Sequence, residues 1–192
     1  LSLPGSAYLY QGEELGLPEA VLREEEIRDP FGQAYWPEFK GRDGSRTPMP
    51  WRAGLPHAGF TAAGATPWLP VPEAHRALAV EAQEAAPDSM LRFARALLRL
   101  RRAEPALRHG AAASLDLPAP LFGFAREAEG RRLALVFNLS AEPVSLPPDL
   151  LTAGLAPLPG APGGEGRVLG PWGFSVLAPV AAPLPVSEPV LA

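Results

Sequence analysis

The hydrophobic period of the chain changes near Gly110, and that change constrains the fold more than any other feature. Ahead of it, Met90, Phe93, Ala94, Leu97 and Leu100 recur at three- and four-residue spacing, with Arg92, Arg95, Arg99 and Arg102 falling elsewhere. Asp88-Ser89 offers an N-cap and Pro105 a stop, so the spacing predicts an amphipathic helix running to about Arg102 or Glu104 with one buried stripe. Past Gly110, Leu121 to Arg126, Leu133 to Asn138, Val144 to Leu146 and Phe174 to Leu177 are short β-prone runs. They are separated by Glu129-Gly130, by Ser140-Ala141 and by a Gly/Pro-rich stretch from Gly154 to Gly166. An antiparallel β-sandwich is expected there, so the chain reads as α/β followed by all-β.

The first residues carry a different signal. Ala7-Tyr8-Leu9-Tyr10, bounded by Pro4-Gly5 and Gly12, suits a buried parallel strand whose carboxyl end points at Gln11 to Glu14. From Leu17 to about Pro87 there is little sustained periodicity, and a stretch that long between elements is functional or disordered. Trp36, Phe39, Trp51, Phe60 and Trp68 argue for a packed loop. Glu73 to Ala86 is expected to form a short helix, and Glu24, Glu25 and Glu26 a solvated face. The tail from Pro179 to Ala192, with prolines at 179, 183, 185 and 189, is expected to be disordered. The expected division is therefore 1–109, 110–178 and a tail of 179–192.

Composition excludes several functions. With 25 prolines and 19 glycines among 192 residues, the chain stays just under the roughly 25–30% that marks low complexity. A formal net charge of −4 offers no basic face for phosphates, so nucleic acid is not an expected partner. There is no cysteine, hence no disulfide framework. No apolar run approaches the ~20 residues that span a membrane. The first residues do not read as a signal peptide; the compartment stays open, with the cytoplasm favoured. His57, His75 and His109 have no partners at ligand spacing, and no metal site is expected. Neither a glycine-rich phosphate loop nor a serine nucleophile elbow occurs.

Two motifs carry chemistry. Tyr10 to Gly16 reads Tyr-Gln-Gly-Glu-Glu-Leu-Gly, and residues 41–51 read Gly-Arg-Asp-Gly-Ser-Arg-Thr-Pro-Met-Pro-Trp. The paired carboxylates of a retaining glycosidase stand about 5 Å apart across one glycosidic bond, whereas neighbours on an extended chain point to opposite faces, so Glu13 and Glu14 do not make that pair. The Arg42 and Arg46 guanidiniums present five donors in a fixed plane and hold their charge, which suits sugar hydroxyls and carboxylates alike. A loop braced by either arginine on Asp43 is the plainer alternative. Thr47-Pro48-Met49-Pro50-Trp51 reads as the anchor of that loop, with Trp51 burying a large surface.

Together the motifs resemble the C-terminal part of an α-glucosidase, of the oligo-1,6-glucosidase kind, in the α-amylase family. The resemblance implies that residues 1–109 are the end of a (β/α)8 barrel, comprising strand 8, a long loop and helix 8, followed by a C-terminal β-sandwich. It implies an oligosaccharide substrate, retention of configuration and no cofactor. It also implies contact of Arg42 with the terminal glucose, Arg46 nearby, and a supporting role for Glu14 as a partner of other barrel residues. The family's three catalytic carboxylates lie on earlier strands, so this chain is expected to hold none of them, to be inactive alone and to have the missing N-terminal barrel segment as its partner. Pro50, Arg52 and Ala7 depart from the common glutamine, aspartate and proline, which leaves linkage preference open. A transglycosylating member of the family shares the same frame. A non-catalytic carbohydrate-binding or scaffolding sandwich is the rival from another class.

Overall fold

The structure is a computed structural model that describes residues 1–152, 154–164 and 166–180, without the side chains of residues 151 and 152. It divides into two compact units, Ala7–Ala96 on the one hand and Leu1–Ser6 with the residues from Leu97 onward on the other.

The first unit is built from short helices and 3-10 turns. Its helices are α1 (Pro30–Ala34), α2 (Glu73–Arg76), α3 (Val80–Ala85) and the start of α4 (Met90–Ala103). The single helix expected over Glu73 to Ala86 is thus two. The break falls where the Val80 and Glu81 N–H groups, at the start of α3, donate to the Pro50 and Trp51 carbonyls instead of continuing α2. The Ala7 to Tyr10 run forms no strand, and Tyr8 is 89% exposed. A lone strand with no neighbour has nowhere to place its backbone hydrogen bonds. Of the expected packed aromatics Trp36 does pack, half-buried against Leu22, Ile27 and Leu69, and the other four are corrected. Phe39, Trp51, Phe60 and Trp68 are all exposed, Trp51 included although it was expected to bury a large surface. The unit instead buries aliphatic side chains in two small clusters, Leu22, Ile27 and Leu69 in one and Leu15, Met49 and Leu91 in the other. Trp51 is anchored through its backbone, and the burial expected of its ring falls to Met49 and Pro50.

Helix α4 starts where the sequence places it, with the Ser89 hydroxyl accepting from the Arg92 N–H. Its buried face keeps Ala94 of the expected stripe, with Phe93, Leu97 and Leu100 half-buried, and departs from it at the first turn, where Leu91 is buried and Met90 exposed. The Gln83 amide oxygen fixes this turn by accepting from the Leu91 N–H at 2.9 Å.

The second unit holds α5 (Pro105–His109) and an antiparallel sheet in the order β1-β2-β3-β7-β5. The strands are β1 (Ala111–Ser114), β2 (Leu121–Ala128), β3 (Arg131–Asn138), β4 (Val144–Ser145), β5 (Leu155–Pro157), β6 (Val168–Leu169) and β7 (Phe174–Pro179), with α6 (Pro148–Thr152) between β4 and β5. Glu129 and Gly130 both take positive φ, the two-residue turn whose twist matches a hairpin, and close β2 onto β3 in register Ala128 to Arg131. β3 buries four consecutive residues because both sheet faces are covered. Ala106 and Leu107 of α5 pack on Phe124, Leu133, Leu135 and Val176, and Leu146 and Leu169 on or beside the β4–β6 pair cover Ala134, Val136 and Leu177. The expected sandwich is therefore unequal, five strands opposed by two. Pro179, assigned to the tail, pairs with Leu155, and residues 181–192 lie outside the described residues. Arg126 is buried in this unit without a carboxylate partner among the described residues. It donates to the Gly110 and Ser2 carbonyls, and burial together with the charge of Arg101 lowers its pKa.

Candidate functional site

The site is assembled from separate backbone segments of the first unit. Gly12 and Gly16, both at positive φ, bracket the 3-10 turn Glu13–Leu15, and the two glutamates close it locally. The Glu13 carboxylate accepts from the Tyr10 N–H at 3.1 Å and that of Glu14 from the Gly12 N–H at 2.9 Å. Each carboxylate therefore serves its own turn. The second segment begins at Gly41 and holds the 3-10 turn Asp43–Ser45. Gly44 is required there because a Cβ would stand 2.6 Å from the Ala20 carbonyl oxygen, the price of the 2.9 Å bond from the Ala20 N–H to Gly44.

Two buried aspartates order this loop. Asp43 Oδ2 accepts from the Arg28 and Asp29 N–H groups, both at 2.6 Å, while its Oδ1 is buried with no partner among the described residues. Asp29 caps α1 through the Phe31 N–H and accepts from both the backbone N–H and Nε of Arg42, the latter at 3.0 Å. Those bonds, led by the Arg42 side chain, hold the Asp29 carboxyl below the usual carboxylate range. The ion pair of Arg42 is thus with Asp29 and not with Asp43. The Asp29 side chain is wholly buried while that of Arg42 is 62% exposed, so the guanidinium is gripped at Nε and its two terminal nitrogens make no hydrogen bond to any described residue.

Arg42 lines a cleft of about 370 Å³ with Tyr10, Gln11, Glu13 and Ser45. Beneath it lies His75, which is buried. Its Nε2 is 2.8 Å from the Pro18 carbonyl, which only accepts, so Nε2 carries the proton. Its Nδ1 stands 3.2 Å from the Thr47 hydroxyl, which donates to it when the imidazole is neutral. Of the residues singled out in the sequence, Arg42 reaches the cleft. Arg46 is exposed, does not line it and has no side-chain partner among the described residues, although its N–H donates to the Asp43 carbonyl, and Glu14 is half-buried on its own turn. Asp29 and His75 escaped the sequence reading. Asp29-Pro30 is a helix-start signal that points to the cap, whereas the contacts of His75 lie 28 and 57 residues away and leave no local trace. No group of three or more metal-ligating side chains occurs among the described residues.

The chain belongs to the α-amylase family. The family model described as "Alpha amylase, catalytic domain" matches residues 1–110, and a "Domain of unknown function (DUF3459)" matches residues 123–176. Within the family its relatives are α-glucosidases and oligo-1,6-glucosidases. It is 45% identical over 142 residues to a probable alpha-glucosidase of Rhizobium meliloti, covering 74% of this chain and 25% of that protein. It is 36% identical over 162 residues to a probable oligo-1,6-glucosidase 2 of Bacillus subtilis, covering 73% and 28%. Among solved structures, an alpha-glucosyl transfer enzyme, XgtA, superposes with a TM-score of 0.79 at 45% identity over 93% of this chain and 34% of that one. A trehalulose synthase, MutB, in complex with sucrose gives 0.69 at 25% identity, over 93% and 36%. The chain spans little more than a quarter of the length of these curated relatives.

Proposed function

We propose that the protein to which this chain belongs is an exo-acting, retaining α-glucosidase that removes α-linked glucose from short oligosaccharides. The observation that carries the reading is Arg42, which lines the cleft with its Nε locked on a buried carboxylate and its terminal N–H groups unpaired among the described residues. A donor array held in that way binds vicinal hydroxyls with little further loss of side-chain freedom. On this reading Arg42 holds the terminal glucose, Arg46 lies at the rim, and Glu14 supports the site by fixing the 3-10 turn. Retention requires two carboxylates, one as nucleophile and one as acid and then base, through a covalent glycosyl-enzyme. Glu13 and Glu14 are committed to backbone N–H groups of their own turn, which supports a pair supplied by earlier barrel strands; the reading includes no cofactor.

The fold reading goes with it: residues 1–109 as a barrel end, with α4 as the eighth helix, and 110–178 as the appended β domain. A transglycosylating enzyme is the second reading, favoured by the similarity to an alpha-glucosyl transfer enzyme. The two differ only in whether water or a sugar hydroxyl takes the glucosyl group. In the protein that carries this chain, Arg42→Ala should lower kcat/KM on 4-nitrophenyl α-glucoside by about ten- to a hundredfold, the effect of losing a charge-assisted hydrogen bond in a closed site. Unchanged kinetics in a normally folded variant would remove Arg42 from the site.

A further inference from the structure

A second cavity of about 330 Å³ lies in the same unit, lined by Arg28, His57 and Trp68 together with Glu26 and Arg76. Three observations bear on it, each on residues that do not line the Arg42 cleft. The first is an exposed indole on a stiff support. Trp68 is 65% exposed, yet the next residue, Leu69, is buried in the cluster with Leu22 and Ile27, and Pro67, Pro70 and Pro72 restrict the backbone on either side. The second is a pair of uncommitted polar side chains. Neither the Arg28 guanidinium nor the His57 imidazole has a hydrogen-bond or ion-pair partner among the described residues, although the Arg28 backbone is fixed by Asp43. The third is backbone strain. His57 and Ala58 are both in the left-handed region, at φ 49° and 51°, where side chains with a Cβ are disfavoured. The turn is held there by the Ala58 carbonyl, which accepts from the Trp51 and Arg52 N–H groups, both at 2.9 Å.

We propose that this cavity is a saccharide-binding site separate from the Arg42 cleft, in which the apolar face of a glucosyl ring stacks on Trp68 and its hydroxyls are held by Arg28 and His57. An exposed indole on a restrained backbone, in one cavity with two unpaired donors, offers an apolar face and a polar edge to one ring, the combination a sugar presents. The charges argue for a neutral ligand over a phosphate. Both Glu26 oxygens are occupied by Arg23, and Arg76 is engaged by the Ala53 and Leu55 carbonyls and by Glu73, so among the described residues Arg28 is the one uncommitted guanidinium at the cavity. The ligand class is shared with the proposed function, so the test must separate the two sites.

Protein-observed NMR can do so, because each of the four tryptophans gives its own indole N–H signal and Trp68→Phe assigns the one that matters. Maltotriose added to the chain should shift the Trp68 signal saturably. Arg28→Ala should weaken that binding by about tenfold, as the loss of a charge-assisted hydrogen bond implies. Arg42→Ala should leave the Trp68 Kd within about twofold, because the two cavities share no lining residue. The proposal is overturned if the Trp68 signal does not move, if inorganic phosphate alone moves it to the same position, if Arg28→Ala leaves the Kd unchanged, or if Arg42→Ala abolishes the shift. Loss of the shift on Arg42→Ala would assign the sugar to the Arg42 cleft and leave the proposed function standing.

Discussion

Asp29 accepts from the Phe31 N–H, the Arg42 N–H and Arg42 Nε, and so joins helix capping to the placement of the cleft arginine. Its pH dependence follows from its lowered pKa. A carboxyl that ionises more readily in the folded state contributes stability in full above the ordinary carboxylate range and loses it as pH falls through the depressed value. Asp29→Asn should therefore be less stable than wild type at neutral pH, and the gap should narrow as the pH drops below that range. Urea unfolding of both proteins between neutral and acid pH checks this. A gap independent of pH would mean that the charge of Asp29 does not matter. Residues differ sharply in how visible such roles are in the sequence. Arg42 is legible because its motif is contiguous, and Asp29 is half-legible through the proline that follows it. His75 is not legible at all, because its role consists of a bond to the Pro18 carbonyl and one to the Thr47 hydroxyl that only the folded chain brings within reach.

Among the elements, the long strands and α4 are read from periodicity, and the short elements are not. β2, β3 and β7 carry unbroken apolar runs, whereas β1 is Ala-Ala-Ala-Ser and exposed, and is a strand only because β2 offers it an edge. The short helices of the first unit depend on single side chains that cross-link them. Gln83 donates to the Leu15 and Leu78 carbonyls and accepts from the Leu91 N–H, tying the 3-10 turn, α3 and α4 together. Gln83→Leu keeps the bulk and strands those backbone groups, and should cost about 2–3 kcal/mol in urea unfolding. A change within about 0.5 kcal/mol, the range of an ordinary surface substitution, would contradict it. In the second unit, Asn138 at the end of β3 is buried. It donates to the Glu142 and Gly170 carbonyls at 2.7 and 2.8 Å and accepts from the Ser140 N–H and hydroxyl. Asn138→Asp sets a carboxylate against two carbonyls and should destabilise by about 2 kcal/mol or more at neutral pH. Burial against acceptors raises the pKa of that carboxyl in the folded state, so the loss should shrink as acid protonates it. Equal destabilisation across the acid range would argue against the amide donor role.

At the scale of the molecule, the two units differ in what their backbones rest on. In the second, β3 is paired along both edges and buried on both faces, with Leu133, Leu135, Val136 and Leu177 no more than 1% exposed. In the first, two small aliphatic clusters and a set of side-chain bonds hold many loops, while Phe31, Tyr35, Phe39, Trp51, Phe60 and Trp68 remain exposed. The Ala7 to Leu9 N–H groups have no partner among the described residues, and that of Tyr10 is held only by the Glu13 side chain. Opening free energies follow such differences in buried contacts and backbone pairing. Hydrogen exchange on the purified chain should therefore show the amides of Leu133 to Val136 among the slowest, Ala7 to Tyr10 exchanging close to the unprotected rate, and the rest of Leu17 to Ala86 in between. Protection at Ala7 to Tyr10 that appears only as the concentration is raised would fit an unpaired segment finding a partner in a second molecule. Strong protection there in the monomer would mean that the segment is paired within the chain, and would overturn the account of why Tyr8 and Tyr10 are exposed.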